Sequence, residues 1–500
     1  MTKTIKDVLE NTTNNYPNKI AFEETSCNIT YREFYDKCLS GASFLLEKKL
    51  QKKNVLIFID KSINCLEAMF SCMCATAVYT VVDIKSPMNR IESIMTTLHP
   101  AAIITDEKSS ANAHELGLPT YLIEEMVTFT KDENAINKAN DAITDSDPLY
   151  ILFTSGSTGI PKGSVISHRS VIAYAQDICD TFKIDEFTIF GSQTPFYFSM
   201  SILDIFSTIL SGATFNIIPK MYFSFPVKLI EYLNTYKINT IYWVPSALSI
   251  VANLKTLESI LPEYLTKIFF AGETMPTKQL NIWRRHLPNA QYVNLFGPTE
   301  ITDTGTYYIV DRDFADTEPL PIGRPFPNCD VLILNEQNEE ASKQEAGELC
   351  FKGPFLGLGY YNNPEKTKEI FVQNPLNSAY PETIYKTGDL VKYNEYGELM
   401  YLGRKDFQIK HMGYRIELGE IESNIFAIDG ILSCACIYDS QNSKIVLFYQ
   451  ADTINEKTLA TLCKEKLLSY MIPNEIVKLD RMPMNANGKI DRVKLKEMER

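Results

Sequence analysis

Short apolar, β-rich runs alternate with longer stretches of helical periodicity along the first half of the chain. VLIFI (55–59), YTVVDI (79–84), AAIITD (101–106), PLYILFTS (148–155), ATFNIIP (213–219) and TIYWVP (240–245) predict short buried strands. Segments 61–75, 170–182, 200–211, 227–236 and 276–287 predict the helices between them. Strand–helix alternation of this kind implies parallel sheets joined by crossover helices, so the fold class expected is α/β. No repeat with a period of roughly 20–50 residues interrupts the pattern, which excludes a solenoid or propeller. Around 320–400 the texture changes to short strands rich in Gly, Pro and Asn, predicting a compact β unit. After GRKDFQIK (403–410) a new pattern begins: a helix at 417–427, strands near 431–438 and 443–450, a helix at 455–468, and a basic tail. A domain boundary is therefore expected near Gly403–Asp406. It leaves a C-terminal piece large enough for one small α+β domain.

Composition narrows the class. The 500 residues suggest two to four domains, and 45% hydrophobic with 22% charged residues is the balance of a globular protein. Lys plus Arg is 49 and Asp plus Glu is 62, a net charge of −13, which makes the chain a poor candidate for holding nucleic acid over its whole surface. The 11 cysteines are scattered and odd in number. The close pairs Cys72/Cys74 and Cys434/Cys436 lie in apolar runs with no second pair or histidine to complete a zinc site, so reduced core thiols are expected. The N-terminal segment has no apolar signal core, and no stretch approaches the length of a membrane span. A cytoplasmic enzyme with no membrane partner is expected.

The chemistry gathers first in LFTSGSTGIPKGS (152–164), directly after a predicted strand. Thr154, Ser155, Ser157 and Thr158 supply hydroxyls, Gly156 and Gly159 let the backbone approach a polyanion, and Lys162 supplies a cation. It is not a Walker loop, because Lys162 precedes Gly163 rather than a Ser or Thr. On composition alone a linker fits the run as well as a phosphate cradle does.

Thr-Ser-Gly-Ser-Thr-Gly-x-Pro-Lys-Gly resembles the phosphate-loop signature of the adenylate-forming (ANL) superfamily: acyl-CoA synthetases, luciferases and the amino-acid adenylation domains of non-ribosomal peptide synthesis. NLFGPTE (294–300) is similar to that family's adenine motif, YKTGDL (385–390) to its ribose motif and GELCFKGPFLGLGYYNNPEKT (347–367) to its β-domain motif. GRKDFQIKHMGYRIELGEIE (403–422) is similar to its hinge, and NANGKIDR (485–492) to its catalytic-lysine tail. ITYREF (29–34) and ATAVYTVVDIKSP (75–87) resemble weaker N-terminal motifs. The motifs occur in the family's order over essentially the whole chain. The resemblance implies a large N-terminal domain, 1–403, of two parallel-type αβ subdomains plus the small β unit. A small mobile C-terminal domain, 404–500, would follow, hinged near Asp406.

It also implies two half-reactions. A carboxylate attacks the α-phosphorus of ATP, giving acyl-AMP and pyrophosphate; a thiol then takes the acyl group. Loop 154–162 would cradle the β and γ phosphates with Lys162 as counter-charge, and Glu300 with Thr158 would hold Mg²⁺. Asn294, Leu295, Phe296, Gly297, Pro298 and Thr299 would wrap adenine, with Gly272 and Glu273 on its other side. Asp389 would hold the ribose hydroxyls, with Tyr401 and Arg404 among the nucleotide contacts. Lys489 would meet charge developing at phosphorus in the transition state, and rotation about Asp406 would then withdraw it. Each position also has a plain structural reading: a surface lysine for Lys162, a helix N-terminal glutamate for Glu300, a turn aspartate for Asp389 and a solvated basic tail for Lys489. Met412 departs from the basic residue that many members of the family carry there.

For the acid, TPFYFSMSILDIF (194–206) aligns with the family's substrate helix, which in amino-acid adenylation domains reads Phe-Asp-x-Ser. Here Ser199 follows Phe198, and a serine cannot offset a desolvated α-ammonium. The same alignment lines the pocket with Phe198, Ser199, Met200, Leu203, Tyr242, Phe269, Ala271, Leu295, Asp303 and Thr304. Asp303 is its one carboxylate, open to a β- or ω-amino acid or a hydroxyaryl acid, or else a helix cap. KHMGYRIELGEIE also resembles the stand-alone D-alanine:carrier-protein ligases, which keep the aspartate missing here. With only a short tail after Lys489, the thiol is expected in trans. It would be the phosphopantetheine of a separate carrier protein or, alternatively, coenzyme A. A nucleotide-binding relative that has lost its chemistry is the reading from another class.

Overall fold

The computed structural model describes residues 3–155, 160–405, 408–440, 442–484 and 490–498. These divide into two compact units. The larger gathers Met1–Ile84, Thr97–Leu152 and Gly163–Gly403; the smaller gathers Lys85–Thr96, Phe153–Lys162 and Arg404–Arg500.

Two largely parallel sheets dominate the larger unit. In the nine-stranded sheet, Gln291–Phe296, Lys267–Phe270, Thr240–Trp243, Ile189–Ser192, Thr214–Ile217 and Ile20–Glu24 are neighbours in that order and all parallel. Antiparallel strands close both edges: Thr306–Ile309 and Arg324–Pro325 on one side, Cys27–Thr30 on the other. The seven-stranded sheet runs Gly359–Tyr360, Lys162–Ser167, Pro148–Thr154, Val78–Val81, Asn54–Phe58, Ala102–Thr105, Thr120–Leu122. The parallel strands are near-continuous runs of buried residues, as expected where helices cover both faces. The β unit is a five-stranded sheet built on Asp330–Leu334, Gly347–Lys352 and the long Thr383–Tyr393.

Local chemistry sets the helix ends. Thr4 with Asp7 and Thr30 with Glu33 form capping boxes that open Ile5–Asn15 and Tyr31–Glu47. Proline begins Pro226–Thr235 and Pro245–Asn253, where its missing N–H costs nothing. The two tryptophans are fully buried, and each indole finds a carbonyl: Trp243 donates to Gly191 at 2.8 Å and Trp283 to Leu248 at 2.9 Å. Cys72 and Cys74 lie on the helix Ile63–Cys74, Cys434 and Cys436 on the strand Ile431–Asp439, all four buried. All the cysteines are free thiols and only Cys27 is exposed. Burial pushes the thiols of Cys74 and Cys179 up to about 12.

In the smaller unit, the ribbon Gln408–His411/Tyr414–Glu417 precedes a three-stranded sheet of Ile431–Asp439, Lys444–Ala451 and Glu475–Lys478. Helices Leu418–Phe426, Glu456–Lys466 and Arg492–Met498 accompany it. Arg492 ties the last helix in. It grips Glu422 with both terminal nitrogens, at 2.6 and 2.8 Å, and donates to the Cys436 carbonyl at 2.6 Å. No helix among the described residues is long and apolar enough to cross a membrane.

Candidate active site

Four neighbouring parallel strands of the nine-stranded sheet deliver the sequence-predicted residues at or just beyond their C-terminal ends. Ile189–Ser192 leads into Phe198, Ser199 and Met200. Thr240–Trp243 carries Tyr242, Lys267–Phe270 carries Phe269 and leads into Ala271, Gly272 and Glu273, and Gln291–Phe296 leads into Gly297–Glu300. The crevice beyond the carboxyl ends of such strands is where open α/β sheets take their ligands.

Backbone crowding shapes the turn after Gln291–Phe296. A Cβ on Gly297 would fall 2.5 Å from the Thr304 Cα and 2.7 Å from the Asp303 carbonyl, so only glycine fits. Thr302 sits at φ +78°, an unusual conformation for a β-branched residue, while its hydroxyl donates to the Phe355 carbonyl at 2.9 Å. Between them Glu300 is fully buried, and the Tyr360 hydroxyl donates to its Oε1 at 2.6 Å. Tyr360 is aimed there by the antiparallel pairing of Gly359–Tyr360 with Val165 and Ser164. Thr299 donates to the Ser199 hydroxyl at 3.1 Å, which joins the adenine motif to the substrate segment. Asn294 donates to the Pro321 carbonyl at 2.8 Å, and the Phe296 ring lies 5.6 Å from that of Tyr401. Glu273 accepts the Ser246 amide at 2.9 Å.

YKTGDL is part of a strand rather than a loop. Gly388 takes φ +75° within Thr383–Tyr393, beside an irregularity in the pairing with Gly347–Lys352. The Gly388 amide donates to Glu348 at 2.9 Å and the Asp389 amide to the Thr387 hydroxyl at 2.9 Å, which holds the Asp389 backbone.

Of the residues expected to line an acid pocket, Met200, Leu203, Tyr242, Phe269, Ala271, Leu295, Asp303 and Thr304 are all buried. Asp303 Oδ2 accepts two phenol hydroxyls, from Tyr174 at 2.8 Å and Tyr242 at 3.1 Å, and Tyr174 also meets the Thr304 hydroxyl at 2.9 Å. Burial, then the Asp303 charge, pushes both phenols well above their ordinary range, so they remain donors. The short helical turn Thr299–Ile301 ends before Asp303, so the helix-cap reading of this residue does not hold. Tyr174 and Tyr360, which hold Asp303 and Glu300, carry no local signal in the sequence. Tyr174 reads as one more apolar-face position of an amphipathic helix, and Tyr360 as one more aromatic residue of the run GYYNN.

In the smaller unit, Ser155 donates to the Arg415 carbonyl at 2.6 Å and Lys162 lies 3.5 Å from Glu417. The Lys162 side chain is 11% exposed, so it is not an ordinary surface lysine. Arg404 donates to Gln408 at 3.3 Å, and the Thr154 hydroxyl is buried without a hydrogen-bond partner among the described residues. Gly156, Ser157, Thr158, Gly159, Asp406 and Lys489 lie outside the described residues.

Residues 9–361 match the AMP-binding enzyme family. The chain is 30% identical over 505 residues to tyrocidine synthase 1 of Brevibacillus parabrevis, covering 99% of itself and 45% of that protein. It is 28% identical to the D-alanine–D-alanyl carrier protein ligase of Lacticaseibacillus casei, over 95% of each. Among solved structures, o-succinylbenzoate CoA synthetase from Bacillus subtilis superposes with a TM-score of 0.84 at 19% identity, covering 98% of each chain, a likeness of fold. The chain belongs to the AMP-binding enzyme family. Its relatives are adenylation domains of non-ribosomal peptide synthetases and carrier-protein ligases. It spans less than half the length of tyrocidine synthase 1 and nearly all of the ligase.

Proposed function

We propose that this chain activates a carboxylic acid with ATP, releasing pyrophosphate, and passes the acyl group from acyl-AMP to the phosphopantetheine thiol of a separate carrier protein. The observation that carries this reading is the convergence of the substrate segment, Gly272–Glu273 and Gly297–Glu300 at the C-terminal ends of adjacent parallel strands. Asn294–Thr299 take the adenine, Asp389 the ribose, Thr154–Gly159 and Lys162 the phosphates, and Lys489 the charge that develops at phosphorus. Asp406 is the hinge between an N-terminal domain, 1–403, and a C-terminal domain, 404–500.

A buried carboxylate oxygen set by a phenol suits Mg²⁺, which takes few protein ligands and completes its shell with phosphate and water. Glu300 and Thr158 would hold it, and its chemistry there is neutralisation of phosphate charge. The protein's own work is to bring two anions together and orient them.

The acid we propose is one without a recognised α-ammonium. Ser199 offers a hydroxyl, already engaged by Thr299, where a charge would be needed. Asp303 stands elsewhere in the pocket, which favours β- or ω-amino acids ahead of hydroxyaryl acids. The carrier is favoured as acceptor by the likeness to a carrier-protein ligase along 95% of both chains. Coenzyme A is the second reading, favoured by the shared fold of a CoA synthetase.

ATP–pyrophosphate exchange over α-, β- and ω-amino acids, aryl acids and fatty acids tests the first half. Acyl transfer to coenzyme A against a phosphopantetheinylated carrier tests the second. Exchange with a β- or ω-amino acid is expected, and Lys489→Ala should lower it by orders of magnitude while sparing transfer from preformed acyl-AMP. Strong exchange with a plain α-amino acid would overturn the substrate assignment, and none with any acid would favour a relative without chemistry.

A further inference from the structure

The segment between Ser192 and Met200 is held from the other sheet at two points. Lys61 follows the strand Asn54–Phe58, and its ammonium donates to the Ser192 carbonyl at 3.0 Å and the Ser192 hydroxyl at 2.9 Å. It also lies 5.4 Å from the centre of the Phe196 ring. Asp83 follows the neighbouring strand Val78–Val81 and accepts the Tyr197 hydroxyl at 3.0 Å. Neither contact involves the residues assigned to nucleotide or acid, yet Ser192 and Tyr197 bracket the approach to Phe198, Ser199 and Met200.

The first tether is electrostatically unusual. Ser192 is fully buried, and Asp204, on the helix Ser201–Ser211, is 1% exposed. Asp204 Oδ1 accepts its neighbour's amide, from Ile205 at 3.1 Å, and the Ser192 hydroxyl, which Lys61 also grips, is a further hydrogen-bond partner of the carboxylate. Burial pulls the Lys61 ammonium down and pushes the Asp204 carboxyl up, each opposed by the charge of the other. A buried cation and acid kept in one region at this cost are a poor way to gain stability, since an apolar pair of equal volume usually does as well. What such a pair supplies is a defined position for the chain it grips.

We propose that Lys61 and Asp83 are positioning residues for acid recognition, fixing the Ser192–Met200 segment so that Phe198, Ser199 and Met200 face the substrate in one arrangement. The inference rests on reading that segment as the wall of the acid site. Tyr197→Phe cuts the second tether without opening a cavity, and Asp83→Asn keeps an acceptor oxygen there but removes its charge. Lys61→Arg keeps the charge of the first tether. Lys61→Met combined with Asp204→Asn removes both charges, so that no lone buried charge threatens folding.

Two measurements decide it. The first is the KM for the acid and for ATP, separately, in pyrophosphate exchange. Tyr197→Phe and the double variant should raise the acid KM tenfold or more with the ATP KM within twofold, Asp83→Asn should raise it less, and Lys61→Arg, which keeps the charge, should stay close to wild type. The second is amide hydrogen exchange, which should quicken at 193–200 in Tyr197→Phe and remain as in wild type elsewhere. Equal rises in both KM values, or unchanged protection at 193–200, would overturn the inference while leaving the adenylating activity standing. A wild-type chain that exchanges pyrophosphate with no acid would overturn both, because there would be no acid for the segment to face.

Discussion

Replacing Tyr174 by phenylalanine isolates one strut of the buried acid network. The ring stays, with its edge-on contact to Phe355 at 5.3 Å between centroids, so no cavity opens. What disappears is the hydroxyl that donates to Asp303 at 2.8 Å and meets Thr304 at 2.9 Å. A hydrogen bond to a charged acceptor contributes about 1.5–3 kcal/mol net. Asp303 is 2% exposed, so bulk water cannot replace the donor freely. Tyr242 still donates at 3.1 Å, which limits the damage to one of the two phenols. Tyr174→Phe should therefore destabilise the larger unit by about 1.5–3 kcal/mol. Removing both phenols should give a loss that is not the sum of the single losses, because the two donors share one acceptor oxygen. Urea unfolding followed by tryptophan fluorescence reads the change, since Trp243 and Trp283 are both in the larger unit. A shift below about 0.5 kcal/mol would place Tyr174 among ordinary surface-like substitutions.

Tyr360→Phe removes the donor at 2.6 Å from Glu300. On the proposed role of Glu300, the Mg²⁺ needed for half-maximal pyrophosphate exchange should rise about tenfold or more, with the acid KM unchanged; a Mg²⁺ titration checks it. His168 is buried, accepts the Ile5 amide at 3.2 Å, and is pulled down to about 4, burial outweighing the pull of Asp147, Asp7 and Asp145. Its folded value lies below its unfolded one, so stability is intact above about pH 6.5 and falls by about 3 kcal/mol as pH drops toward 4. His168→Gln should flatten that part of the urea-midpoint profile.

Local pattern reached the elements well and their partners poorly. The run 148–155 is the strand Pro148–Thr154, and 170–182 lies within the helix His168–Phe182, because periodicity and caps are written over a few neighbouring residues. The pairing of Val78–Val81 with Pro148–Thr154, through Tyr79 opposite Tyr150, joins segments about seventy residues apart and leaves no local trace. The strand Ile189–Ser192 was not anticipated: IFGS carries a glycine and a serine, and only its central place in the sheet makes it a strand. In the site the motif residues were legible because they are contiguous. Their supports were not, since Tyr174 meets Asp303 across 129 positions and Tyr360 meets Glu300 across 60. YKTGDL is the mixed case, its residues foreseen and its extended backbone not.

The thiols have a use of their own. Ten of the eleven cysteines are buried and one, Cys27, opens the edge strand Cys27–Thr30 at the end of the nine-stranded sheet. A maleimide dye added to the native protein therefore has one address, with no cysteine to engineer away. The remaining ten form a reserve that a small alkylating reagent reaches only when the interior opens. The mass added over time then counts openings residue by residue, a clock for the motions of the molecule.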